Sequence, residues 1–225
     1  MENEKKIYNS NTHRERANKR IGPHDIDILS MLFGSLLGDS FGEKRSKNSV
    51  RFVLQQENSN AEYLHWYHKY LALRGYTSLK NPKKYKRITS KGKIRFYYKI
   101  ATYSYANLLW LYDAFYKNKK KHVPKKEILK EYLTPLAIAI WFMDDGSRAS
   151  QGCKIATNCF EKEELKIIQQ VLKEKYNLEI RIHSAGKENQ YVLYIPKNNM
   201  RTFSKLIKKY LVRSMYYKIE AAKIK

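Results

Sequence analysis

The run Leu32-Phe33-Gly34-Ser35-Leu36-Leu37-Gly38-Asp39-Ser40 constrains this chain more than any other stretch. It spells about two turns of apolar, glycine-containing helix ending on a carboxylate. A second run of the same design, Ile138-Ala139-Ile140-Trp141-Phe142-Met143-Asp144-Asp145-Gly146, lies 106 residues further on, counting Asp39 to Asp145. An acid at a helix C-terminus faces the negative end of the macrodipole and costs roughly a few tenths of a kcal/mol or more. Lys or Arg would sit there comfortably. The same misplacement twice points to two carboxylates held for a cation. Gly34 and Gly38, four apart, share one helix face and permit close approach of another helix.

The rest of the chain tells us what that cation serves. The 45 Lys+Arg against 21 Asp+Glu leave a net charge of +24, a self-repulsion that a polyanion relieves. Charge alone also fits a ribosomal or membrane-surface protein. Here, however, the basic residues are interleaved with aromatics, including 19 tyrosines, rather than gathered in tails. With 43% hydrophobic residues the chain can bury a real core. No apolar run reaches the ~18 residues of a membrane span. Cys153 and Cys159 stand alone, so neither a zinc site nor a disulfide framework is expected. The N-terminus lacks a hydrophobic signal core, and Glu2, Glu4 and Glu15 argue against a transit peptide; the chain is expected to act in the compartment where it is made.

In order, residues 1–20 read as a flexible basic arm, and Gly22-Pro23 ends it, with Asp25 or Asp27 as helix cap. Residues 49–56 alternate as a strand with Val50, Phe52 and Leu54 inward. A helix is expected from Ala61 to Leu73. The segment Lys80 to Lys99 follows, with nine Lys/Arg and no acid. Within it, Ile94, Phe96, Tyr98 and Ile100 are expected to face the core, and Arg95, Tyr97 and Lys99 the outside, as a basic, aromatic surface suited to a DNA groove. Another helix is expected from Tyr105 to Tyr116, then a short one over 125–132, with Thr134-Pro135 opening the second motif helix. A strand over 154–160, a helix over 161–176, strands over 179–185 and 190–196 and a helix over 200–210 repeat the earlier order. Two like halves, 21–124 and 125–225, are therefore expected.

At Leu32, Gly34, Leu36, Gly38 and Asp39, and again at Trp141-Phe142-Met143-Asp144-Asp145-Gly146 preceded by Leu133-Thr134-Pro135, the sequence resembles the LAGLIDADG homing endonucleases in their monomeric two-motif form. The resemblance runs from about Ile21 to Ala222. It implies an α/β (α+β) fold of two pseudo-symmetric αββαββα-like halves whose curved antiparallel sheets form a DNA-binding saddle. It implies double-strand cleavage across a minor groove, with Mg2+ as cofactor and Mn2+ as a substitute. Asp39 and Asp145 are the expected metal ligands. Gly38 and Asp144 stand beside them; because neighbours i and i+1 do not share a helix face, Asp144 is expected in an outer place or only in solvent. Family members also bring a lysine from each half to the active-site waters, and Lys121 and Lys218 match by position; the alternative is that both are ordinary surface lysines. Where the first motif has Gly34 and Gly38, the second has Ile140 and Asp144, so Ala137 and Ala139 are expected to supply the small contact surface.

Expected DNA contacts are Arg51, Gln55, Lys86, Arg87, Arg95, Tyr97 and Lys99 in the first half, and Arg148, Lys154, Thr157, Arg181 and His183 in the second. The expected partner is a long, non-palindromic DNA duplex bound by a monomer, with no membrane. The rival function is an RNA-binding intron maturase acting on its own intron RNA. A DNA-binding regulator with dead motifs is disfavoured by the two intact aspartates. Abundant Lys, Asn, Ile and Tyr suggest an AT-rich genome, hence a mitochondrion ahead of a plastid, with a bacterial or phage origin left open.

Overall fold

A computed structural model describes residues 15–20 and 22–220. Its first series of elements is α1 (Ile26–Leu37), β1 (Phe41–Ser46), β2 (Ser49–Glu57), α2 (Ala61–Leu73), β3 (Lys83–Ile88), β4 (Ile94–Ala101) and α3 (Leu109–Phe115). A two-residue-per-strand hairpin, β5 (Tyr116–Lys117) and β6 (Lys120–Lys121), and helix α4 (Lys126–Tyr132) follow. The second series is α5 (Pro135–Asp145), β7 (Gly146–Ala149), β8 (Gly152–Ala156), α6 (Lys162–Tyr176), β9 (Arg181–Ser184), β10 (Tyr191–Ile195) and α7 (Met200–Ile207). Each series reads αββαββα. Each sheet is antiparallel with the same strand order, β1-β2-β4-β3 and β7-β8-β10-β9.

The described chain forms two compact units. One comprises the residues up to His24 and Ser40–Trp110; the other comprises Asp25–Asp39 with the residues from Leu111 onward. In the first, α2 packs on β2 and β4 and buries Tyr63, Leu64, Tyr67 and Leu71 over Val50, Phe52, Leu54 and Ile100. Residues 1–14 of the expected arm lie outside the described residues. Its last residues are docked: Arg20 donates to the Ser104 carbonyl (2.9 Å) and lies over the Tyr103 ring.

In the other unit α1 runs along α5, and both are almost wholly buried. Asp25 caps α1 by accepting from the Asp27 N–H (2.8 Å), and Thr134 caps α5 by accepting from Ala137 N–H (3.2 Å), with Pro135 in the first turn. The two starts are tied together, since the Thr134 hydroxyl donates to that of Ser30 (2.8 Å). A Cβ on Gly34 would sit 2.2 Å from the Ala137 carbonyl oxygen, and one on Gly38 2.6 Å from Asp144 Cβ. Those two positions need glycine for close approach. Phe203 of α7 meets Phe142 edge-on at 5.0 Å, closing the core below the second sheet.

Four expectations shift. The helix expected from Tyr105 starts only at Leu109, because Tyr105 spends both backbone groups on Val50. The strand expected over 154–160 ends at Ala156, where Thr157 and Phe160 close a turn. Strands β1 and β7, directly after the motif helices, were not foreseen; they are short and polar and carry no hydrophobic alternation. Ile94 and Phe96 face solvent rather than a core, since β2 pairs with β4 only from Tyr97 onward and no helix covers the β3–β4 ribbon beyond that point. Among the described residues no helix is long and apolar enough to cross a membrane.

Candidate active site and nucleic-acid surfaces

The buried helix pair ends on three carboxylates. Asp39 follows the Gly38 cap of α1 and is exposed; Asp144 and Asp145 are the last residues of α5 and are half-buried. Asp144 turns toward α1, where its Oδ2 accepts the Asp39 backbone N–H at 3.3 Å. The side chain that neighbour logic sets apart from Asp145 thus reaches the backbone of the other acid. Burial, and then the charge of Asp39, push Asp145 up to about 7, against the pull of Lys121 and Lys218.

Both expected lysines lie at these helix ends. Lys121, from β6, donates to the Gly38 carbonyl (2.9 Å). Lys218 is buried and donates to the Met143 carbonyl (2.6 Å) and more weakly to that of Phe142 (3.4 Å). Each ammonium satisfies carbonyls that a helix end leaves open and meets the negative pole of the macrodipole. Burial lowers both lysines. The aspartates pull back in each case, joined at Lys121 by Cys159. A half-buried lysine thus holds the end of α1 and a buried one the end of α5, with the same acids nearby.

Asp39 and Asp145 offer hard carboxylate oxygens whose mutual repulsion a divalent cation would relieve, so the donor chemistry fits Mg2+. Among the described residues no group of three or more His, Cys, Asp or Glu is placed to cage an ion unaided. Both thiols are free; Cys153 is buried and donates to the Lys218 carbonyl (3.1 Å), whereas Cys159 is exposed.

Register sorts the expected DNA contacts by face, since cross-strand partners share a side. In the first sheet Arg51, Gln55, Arg87, Arg95, Tyr97 and Lys99 lie on the face away from α2. Lys83 and Tyr85 share that face and were missed; the alternation of β4 carried across to β3 would have found them. Tyr85 stacks on Tyr97 (5.4 Å) with Arg87 over the ring, and Lys99 lies over Phe41 (5.9 Å). Arg51 is paired with Glu43 (2.6 Å) and Arg87 with Glu57. Lys86 pairs with Phe96 and so falls on the opposite face from Arg87.

In the second sheet Lys154 and Arg181 flank Tyr194 across three strands, and His183 stacks on Tyr194 (5.0 Å). Tyr194 is the residue missed here. Two expected contacts lie off this face. Thr157 is buried and its hydroxyl donates to the Tyr191 carbonyl (2.7 Å). Arg148 is exposed but pairs with buried Cys153, on the core side of the sheet; Ser147 shares the face of Lys154 instead. Lys154 and Thr157 differ in parity, so one regular strand could not present both.

Comparison with known proteins agrees with this geometry. The model of the LAGLIDADG DNA endonuclease family matches residues 29–203. The chain is 39% identical over 216 residues to the cytochrome b mRNA maturase bI2 of Saccharomyces cerevisiae, covering 92% of this chain and 51% of that one; the chain spans about half the length of this relative. It is 39% identical over 198 residues to the maturase of the same name from Debaryomyces hansenii, covering 88% and 75%. The structure of the homing endonuclease I-WcaI bound to its DNA recognition sequence superposes with a TM-score of 0.79 at 25% identity, over 91% of this chain and 90% of that one. The I-DmoI fold, at 18% identity and TM-score 0.51, is alike over 83% of this chain and 99% of its own. With two motif helices and two four-stranded sheets of the same strand order, the chain belongs to the LAGLIDADG DNA endonuclease family.

Proposed function

We propose that the chain is a site-specific, metal-dependent double-strand DNA endonuclease whose acids are Asp39 and Asp145. The observation that carries this reading is the matched pair of helix ends, each with a carboxylate and a lysine bound to its terminal carbonyls. Asp39 and Asp145, with the Gly38 carbonyl and Asp144 alongside, would hold a divalent cation, which would supply charge neutralisation at a phosphate and a more acidic water. Asp144 fixes the Asp39 backbone. Lys121 and Lys218 are held rigid by their carbonyls, so their ammonium groups offset phosphate charge without reorganising and favour deprotonation of nearby water.

The outer faces of the two sheets carry the duplex. Arg95, Lys99, Lys83 and Tyr97 in one, and Lys154, Arg181 and His183 in the other, supply backbone and base-edge contacts. The structural similarity to a DNA-bound homing endonuclease supports this assignment. Unlike residues on two sheets of one chain suit a monomer, read as halves 21–124 and 125–225, on a non-palindromic site. An AT-rich organelle, a mitochondrion first, fits the composition. The decisive measurement is cleavage of a randomised duplex library with and without Mg2+. Enrichment of one long site, lost in Asp39→Asn and Asp145→Asn while binding persists, is expected; full cleavage by both variants would remove the acids from the mechanism.

A second reading, intron maturase, is favoured by the names of the two 39%-identical relatives. It predicts that the protein promotes splicing of the precursor transcript containing its own reading frame. Splicing assistance without cleavage of any duplex would put this reading first.

A further inference from the structure

The C-terminal helix carries a cationic surface that neither the cleavage site nor the sheet faces use. Residues 197–213 hold six Lys/Arg (Lys197, Arg201, Lys205, Lys208, Lys209 and Arg213) and no acid. Phe203 and Ile207 bury the inner side of α7. At 100° per residue Arg201 and Lys205 fall on the opposite side of α7, one turn apart, and Lys209 follows in the single 3-10 turn over 208–210 that continues the helix. All three are exposed, and with Pro135, Thr202 and Leu206 they line an open groove of about 620 Å³.

The contrast with α6, another exposed helix of the same unit, is what marks this stripe. There Lys166 is paired with Glu163 (2.7 Å) and Lys173 with Glu179 (3.1 Å), while Glu174 takes both Lys126 and Lys130 (2.8 Å each). Among the described residues none of Arg201, Lys205 and Lys209 has a carboxylate partner within 4.0 Å in this way. Lys209 lies over the Tyr210 ring (4.8 Å), but three cations so close in sequence and without a carboxylate repel one another, and a phosphodiester backbone would relieve that. The stripe also lies on the wrong side for the cleavage substrate. Helix α7 packs against α5 through Phe203 and Ile207, with Arg201 and Lys205 on its opposite side, whereas Lys154, Arg181 and His183 share the sheet face opposite to buried Cys153, Ile155 and Leu193.

We infer that the Arg201–Lys205–Lys209 groove is a separate binding surface for the backbone of folded RNA. The inference rests on the maturase reading for its choice of RNA. It adds that RNA and target DNA occupy different faces, so one molecule can serve both.

The test uses the full chain, its precursor transcript as RNA probe and its selected duplex as DNA probe. The triple variant Arg201→Gln, Lys205→Gln, Lys209→Gln should bind the transcript at least ~30-fold more weakly at 0.1 M salt. The log–log salt slope should flatten by about 2, at ~0.7 per single-strand phosphate contact. Duplex affinity and cleavage rate should stay within ~2-fold, and Lys166→Gln with Lys173→Gln should change neither. In the wild type, amide exchange over 200–210 should slow with the transcript and not with the duplex, a readout independent of variant folding. A wild type that binds the transcript no better than unrelated RNA of equal length would overturn the maturase reading and this inference together, leaving the nuclease intact. Tight transcript binding by the triple variant would overturn the surface assignment alone. Parallel loss of duplex and transcript binding would place the groove in the DNA surface and overturn it too.

Discussion

The two four-stranded sheets share a strand order but not a size. In the first, strands of 6, 9, 6 and 8 residues extend a β3–β4 ribbon past the end of β2. In the second, the strands have only 4, 5, 4 and 5 residues. The longer ribbon leaves Ile88, Ile94 and Phe96 exposed and carries Lys83, Tyr85, Arg87, Arg95 and Tyr97 on its other side. Strand order is a property of the fold, whereas strand length is free to vary; under the proposed function, unequal reach predicts unequal contact with the duplex. The motif ends differ in the same spirit. The end of α1 uses Gly38 where α5 uses Asp144, and the second fits against the space the first leaves.

The largest effect should fall where the two motifs are alike. Asp39→Asn or Asp145→Asn should lower double-strand cleavage by at least about 10²–10³-fold, the scale of a lost charge-stabilising group, with duplex binding within a few-fold. A variant that loses cleavage of only one strand would show that each acid serves its own phosphate, sharpening the comparison.

Next comes the asymmetry of the helix contact. Gly34→Ala forces a methyl into the Ala137 carbonyl, and overpacking of this kind costs typically ~1–3 kcal/mol, more when backbone must move. Ile140→Val, at the matching place in α5, should cost about 0.5–1.5 kcal/mol. Denaturant melts of both variants will measure the difference; equal losses would mean that the helices tolerate the same side chains.

Lysine burial gives the third. Lys218→Met leaves the Met143 carbonyl without its donor and should cost ~1–3 kcal/mol, whereas Lys121→Met, at a half-buried site, should cost less. Thermal melts in the absence of divalent ions isolate the structural part, and cleavage rates add the chemical one.

Acidity supplies the fourth. Asp145 is raised, so in the absence of a cation it gains its charge only as pH climbs through about 7. Its unfolded counterpart ionises near 3.8. Between those values the unfolded chain releases a proton that the fold retains, so stability falls progressively with pH, and the penalty is constant above them. Cleavage at low Mg2+ should rise with pH through that window, and more Mg2+ should move the midpoint down, because ion and proton compete. A midpoint that ignores Mg2+ would separate Asp145 from the ion.

The smallest effects should come from single contacts on the sheets. Arg95→Ala should cost ~1–3 kcal/mol of discrimination at a particular base pair if it reads an edge. Lys83→Gln should weaken all duplexes alike and flatten the log–log salt slope by about 0.9. Lys154→Gln in the short sheet should do the same over fewer base pairs. Footprints of equal length on both sides of the cut would contradict the unequal reach.

What was legible in the chain follows a simple physical rule. Capping residues, apolar helical spacing and misplaced acids act over three or four residues, so α1, α2, α5 and α6 and the pair Asp39 and Asp145 could be read directly. The short polar strands β1 and β7 carry no such local signal; their backbones are committed only by the strand beside them. Side-chain facing needed the same partners. Ile94 and Phe96 obey the inward alternation of β4, yet no helix extends over them, and Thr157 lies past the strand end on the buried parity. Two further facts came from distant segments meeting: Asp144 on the Asp39 N–H, and Lys218 on the last carbonyls of α5 across 75 residues of chain. Sequence by itself determined the main helices and the place of the two acids at their ends, because helix propensity and caps are local. The tertiary structure decided which side chains face solvent and which cation holds each helix end, because burial and register are properties of neighbours.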